Sequence, residues 1–184
     1  LGSIGYESLG TDLIKILDEK GDEVGMGEIG ELYSRGPMLF DEYYKLPEKT
    51  ASAFRGEWFS AGDLARRDED GFYELVDRKD NMIITGGEHV YPSEVEKVIC
   101  THPGVLDVAV VGLPHSKWGE AVTAVVIARD PEKPPSETEI IVFCRGKMAG
   151  YNRPKAVYLI PGAEMPRTGS GKVIHRVLRE RYAR

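Results

Sequence analysis

Two apolar runs rich in β-branched residues, "VLDVAVVGL" at 105–113 and "AVTAVVIA" at 121–128, follow one another closely in the chain. Short runs of this kind, with almost no polar interruption, read as buried strands. Their flanks complete a pattern. Ahead of them, Pro92 and Ser93 open "SEVEKVICTH", with Val95, Val98 and Ile99 on one helical face and Glu94, Glu96 and Lys97 on the other. Behind them, "SETEIIVFCRGKM" begins with the capping-box pair Ser136 and Glu139 and continues as an amphipathic helix. "AVYLI" at 156–160 is the next strand. The order β, α, β, β, α, β predicts a compact α+β domain with helices on one face of a three- or four-stranded sheet.

The chain upstream reads differently. "TDLIKIL" at 11–17 and "GELYSRG" at 30–36 alternate polar and apolar residues, as half-buried strands do. Asp70-Gly71 in "RRDEDGF" marks a hairpin whose returning strand is "FYELV" at 72–76. Polar, glycine-bearing chain then follows, and the pattern changes near Asp80. The expected organisation is a small β-rich unit over 1–79 and the α+β unit over 80–184.

Hydrophobic residues make up 41% and charged residues 29%, the balance of a globular protein. No apolar run reaches the roughly 18 residues of a membrane-spanning helix, and the N-terminus lacks a basic region followed by an apolar stretch. A cytoplasmic location is expected. The net charge of -6 argues against a nucleic-acid partner, which calls for a basic face. Cys100 and Cys144 are too few for a disulfide framework and sit in apolar helical contexts, where they are expected as buried reduced thiols. His89, His102, His115 and His175 show no metal-ligand spacing, so no structural metal is expected.

Two glycine motifs fail their tests. "GMGEIG" fits the dinucleotide fingerprint at Gly25, Gly27 and Gly30, but a strand pattern follows where a helix is needed. "GSGK" has Pro166 and Val173 where a phosphate loop has glycine and a hydroxyl residue, so Lys172 is not a P-loop lysine.

Several segments read together carry more. "GEWFSAGDLARRDEDGFYELVDRKDNMIITGGEHVYPSEVE", "HSKWGEAVTAVV", "YNRPK" and "MPRTGSGKVIHRVL" resemble, in order and spacing, the C-terminal part of the adenylate-forming acyl-CoA synthetases, a superfamily that includes luciferases and the adenylation domains of peptide synthetases. The resemblance covers essentially the whole chain. It implies that 1–79 is the last subdomain of a large N-terminal domain and 80–184 a mobile C-terminal domain. The chain then reads as a C-terminal fragment, inefficient alone, whose partner is the upstream N-terminal domain.

Such enzymes join a carboxylic acid, fatty or aromatic, to ATP and then pass the acyl group to a thiol, usually that of coenzyme A. By the same resemblance, Asp63 accepts from both ribose hydroxyls of ATP, Arg78 also contacts the ribose, and Asp80 is the hinge. Ala61 stands where threonine is frequent, and Asn81 where an acidic residue is frequent. Lys172 matches the lysine that stabilises charge as the carboxylate attacks the α-phosphate. Gly86 and Gly87 match the loop beside the pantetheine tunnel, and Trp118, Tyr151, Arg153 and Lys155 match positions that hold the coenzyme A nucleotide. Magnesium accompanies ATP, its site lying outside this fragment. Two alternatives stay open: another acceptor, such as a carrier protein or oxygen, and a non-catalytic nucleotide- or partner-binding module.

Overall fold

The computed structural model describes residues 3–5 and 13–183, and the chain divides into two units, 1–80 and 81–184. Thr11 and Asp12 of the first expected strand lie outside the described residues.

The first unit is an antiparallel sheet of β1 (Ser3–Gly5), β2 (Ile14–Leu17), β3 (Gly30–Ser34), β4 (Phe54–Arg55), β5 (Trp58–Phe59), β6 (Asp63–Arg67) and β7 (Tyr73–Arg78), with helix α1 (Pro47–Ala53) before β4. Its core is small: Ile16, Ala65 and Tyr73, with Ile14, Val24 and Leu32 packed against them. The β6–β7 hairpin forms where Asp70-Gly71 predicts it. Asp68 Oδ1 accepts from the backbone N–H groups of Asp70 and Phe72 at 3.1 and 2.8 Å, and Gly71 takes φ +84°. A side chain that satisfies two turn amides, beside a glycine free to adopt positive φ, fixes the turn locally. The resulting register sets Asp63 opposite Arg78.

The second unit is built on the long pair read from sequence. Strands β10 (Val105–His115) and β11 (Gly119–Ala128) run antiparallel from Val105↔Ala128 to His115↔Gly119. Strand β12 (Ala156–Leu159) joins β11 in parallel, and β8 (Ile83–Thr85) with β9 (Glu88–Val90) attaches at Gly119↔Thr85. The α+β class holds, with a sheet of five strands rather than three or four. The difference is β8 and β9, whose three residues each are too few to show a period.

Helices α2 (Pro92–Ile99) and α3 (Glu137–Phe143) cover one face, burying Val95, Ile99 and Ile140 against Val108, Val110, Val122, Ala124 and Val126. Helix α4 (His175–Tyr182) covers the other, with Leu178 against Ala109, Val111 and Val125. The expectation of helices on a single face is therefore corrected. Covering both faces is why β10 and β11 are near-continuously apolar instead of alternating. The capping box forms as read: Ser136 Oγ accepts from Glu139 N–H at 3.2 Å, and Glu139 accepts in return.

Two side-chain expectations change. Cys144 is buried, but Cys100 is exposed, because it caps the C-terminus of α2 just beyond the packed face. Glu96, expected on the solvent face of α2, turns toward β10 and accepts the Val110 N–H at 2.8 Å. Among the described residues no helix is long and apolar enough to cross a membrane.

Candidate active site

Asp63 opens β6 and Arg78 closes β7, and their register brings Arg78 Nη1 to 2.7 Å from Asp63 Oδ1. The aspartate keeps its second oxygen without a protein partner among the described residues, so it can still accept from a ligand hydroxyl. Behind the pair lies Glu31 of β3, which the sequence reading did not single out. Its Oε1 accepts from Ser60 Oγ at 2.6 Å and its Oε2 from Lys79 Nζ at 2.8 Å. Burial alone raises the Glu31 pKa, but the hydrogen bonds from Lys79 and Ser60 outweigh it and hold the carboxyl below its ordinary range. The same bond to Glu31 raises the Lys79 pKa. Asp80 follows immediately, in the short 3-10 turn Lys79–Asn81.

Lys172 lies on a tight turn in the second unit. The Thr168 N–H donates to the Lys172 carbonyl at 2.8 Å, Gly171 takes φ +86°, and Arg167 pairs with Val173 across the turn. Arg167 ties the turn down: one guanidinium nitrogen donates to the Gly171 carbonyl at 2.7 Å and another pairs with Asp107 of β10. The Lys172 side chain is exposed and has no ion-pair partner among the described residues. A fixed backbone with a free ammonium suits a charge meant for a ligand.

Gly86 and Gly87 form the two-residue turn between β8 and β9, with φ of +62° and +88°. Positive φ at both central positions is the geometry of a type I′ hairpin, which explains the paired glycines. The Gly86 N–H donates to the Trp118 carbonyl at 2.8 Å. Trp118 stacks on His115 at 4.2 Å between ring centroids, and Lys155 Nζ lies 5.4 Å from the Trp118 ring centre. Lys155 also donates to the Gly150 carbonyl at 3.0 Å. Burial and then the nearby Arg153 charge lower its pKa. The structure thus gathers Gly86, Trp118, Lys155 and Arg153 in one neighbourhood, with exposed Tyr151 on the same turn of chain as Arg153.

The two glycine turns are held from opposite faces of one sheet. The β8–β9 hairpin buries Ile83 and Val90 under α2 and α3, while Val173, next to Lys172, packs into the cluster under α4. Glu31, Ser60 and Lys79 were missed because the sequence offers no signal for them. A glutamate on an alternating strand reads as solvent-facing, and its lysine partner lies 48 residues away.

The family model of the AMP-binding enzyme C-terminal domain matches residues 94–172. The chain is 42% identical over 175 residues to the medium/long-chain-fatty-acid–CoA ligase FadD8 of Mycobacterium tuberculosis, covering 92% of this chain and 30% of that protein. It is 40% identical over 182 residues to a feruloyl-CoA synthase of Amycolatopsis, covering 99% of this chain and 36% of that one. Among solved structures, ATP-bound MatB from Rhodopseudomonas palustris matches with a TM-score of 0.88 and 37% identity, over 99% of this chain and 36% of that one. Apo MatB matches over the same shares with a TM-score of 0.66 and 38% identity. The chain belongs to the adenylate-forming enzymes. Within that superfamily, residues 94–172 are the AMP-binding enzyme C-terminal domain. The chain spans about a third of the length of the relatives it matches.

Proposed function

We propose that this chain is the C-terminal part of a cytoplasmic acyl-CoA ligase that activates a carboxylic acid with ATP and transfers the acyl group to coenzyme A. The observation that carries the reading is the pair of glycine turns anchored from opposite faces of one five-stranded sheet. One domain can then serve two reactions by presenting a different turn for each, with Asp80 as the pivot.

In the first half-reaction the acid's carboxylate oxygen attacks the α-phosphorus and pyrophosphate leaves. Lys172 offsets the charge of two approaching anions, while Asp63 and Arg78 hold the ribose. In the second, the thiol displaces AMP from the acyl carbon. Gly86 and Gly87 line the thiol's approach, and Trp118, Tyr151, Arg153 and Lys155 receive the nucleotide end of coenzyme A, aromatic faces for adenine and cations for phosphates. Magnesium accompanies ATP as its counter-ion; among the described residues no cluster of His, Cys, Asp and Glu is arranged to hold a metal. Fatty and aromatic acids are both candidates, since relatives named for each match equally well over this chain.

The test is Lys172→Ala in the full-length ligase. ATP–pyrophosphate exchange falls on the order of 100-fold or more, while thioester formation from supplied acyl-adenylate stays near wild type. Equal loss in both steps refutes the division of labour. Adenylate without any thioester, across fatty and aromatic acids, redirects the second step to another acceptor.

A further inference from the structure

The Glu31 carboxylate holds two arms that converge on one peptide. Through its first oxygen it orients Ser60, whose hydroxyl accepts the Gly62 N–H at 2.9 Å. Through its second it holds the ammonium of Lys79, whose backbone N–H donates to the Gly62 carbonyl at 2.8 Å. Gly62 is thereby bracketed on both its N–H and its C=O. It sits at φ +79°, the left-handed region, and it immediately precedes Asp63. The direction in which the chain leaves Gly62 sets where the Asp63 carboxylate begins, and Lys79 adjoins Arg78 on the partner strand. Ser60 is buried, at 7% exposed, and the Glu31 side chain is 14% exposed, so the Ser60 arm is shielded from competing water, while the Lys79 ammonium reaches Glu31 from a side chain that is half exposed.

We infer that Glu31 is a positioning residue for the nucleotide ribose, fixing the Asp63–Arg78 pair through Ser60, Gly62 and Lys79. This rests on the proposed ribose role of Asp63. The chemistry explains why a carboxylate stands here. Two acceptor oxygens serve a hydroxyl and an ammonium at once, whereas an amide offers one acceptor and turns an N–H₂ toward the cation. Glu31→Gln therefore breaks the Lys79 arm and keeps the Ser60 arm. Ser60→Ala does the reverse.

The experiment compares kcat/KM for ATP and for 2′-deoxy-ATP in the adenylation step of the full-length ligase. Wild type prefers ATP, and Asp63→Ala abolishes the preference. Glu31→Gln and Ser60→Ala each narrow it by about tenfold, the scale expected when a reacting group is displaced by a fraction of an ångström. The KM for the acid stays unchanged in both variants. Loss of stability without loss of ribose discrimination, in both variants, makes Glu31 a merely structural residue and overturns the inference. Should Glu31→Gln not fold, Ser60→Ala decides alone by the same ratio. An Asp63→Ala enzyme that still prefers ATP refutes the ribose assignment itself, a separate failure visible in its own arm.

Discussion

Glu96 and His175 close the outer edge of the sheet, and replacing Glu96 measures what that closure contributes. β10 is an edge strand, so alternate N–H groups along it face away from β11. Glu96 on α2 accepts one of them, the Val110 N–H, at 2.8 Å, and the same oxygen lies 3.1 Å from His175 Nε2 at the start of α4. The pair joins the helices of opposite faces around the strand edge. Val110 is 0% exposed, so Glu96→Ala leaves its N–H without an acceptor in a buried residue. An orphaned buried donor costs about 1 to 3 kcal/mol. Glu96 is itself 23% exposed, so water can enter the gap it leaves, and the lower half of that range is expected. Glu96→Gln keeps an oxygen for Val110 and loses only the charge facing His175, for less than about 1 kcal/mol. Urea unfolding of the chain, followed by Trp118 fluorescence in a Trp58→Phe background, reports on the second unit. Equal stability of the Ala and Gln variants refutes the reasoning, because it leaves the bond to Val110 without effect.

Gly87→Ala meets no atom within 4 Å, so its cost is the backbone's alone, about 1 to 2 kcal/mol at φ +88°. In the full-length ligase it slows thioester formation and spares ATP–pyrophosphate exchange; loss confined to exchange contradicts the assignment of this turn. The depressed Glu31 pKa gives a pH signature. A carboxyl held below its unfolded value contributes stability at neutral pH that is lost only as pH falls through the folded pKa. The stability gap between wild type and Glu31→Gln therefore persists at pH 5 and closes below about pH 4. Paired denaturation curves from pH 7 to 3 check this, and a gap already closed at pH 5 overturns it.

What was legible in the sequence was what neighbouring residues settle among themselves. The β10 and β11 runs, the Ser136–Glu139 capping box, the Asp70-Gly71 turn and the change of pattern at Asp80 are all local. Each depends on a period, a cap or a glycine that the chain carries within a few positions. Elements without such a signal stayed hidden. α4 buries Leu178 as its only fully packed apolar residue, so its amphipathic stripe is too thin to stand out among four charged neighbours, Arg176, Arg179, Glu180 and Arg181. That helix on the second face is what turned a one-sided layer into a covered sheet.

The sequence by itself determined the family and the strand pair and put forward Asp63, Arg78, Lys172 and the glycine turns as candidates, because motif spacing and residue chemistry survive without coordinates. Only the tertiary structure decided that Glu31 and Lys79 meet across 48 residues, that Glu96 turns inward to an edge strand, and that the two glycine turns are gripped from opposite faces. The reason is physical: a polar side chain on a regular element points outward by pattern, and only its packed neighbours reveal an unpaired group that makes turning inward favourable.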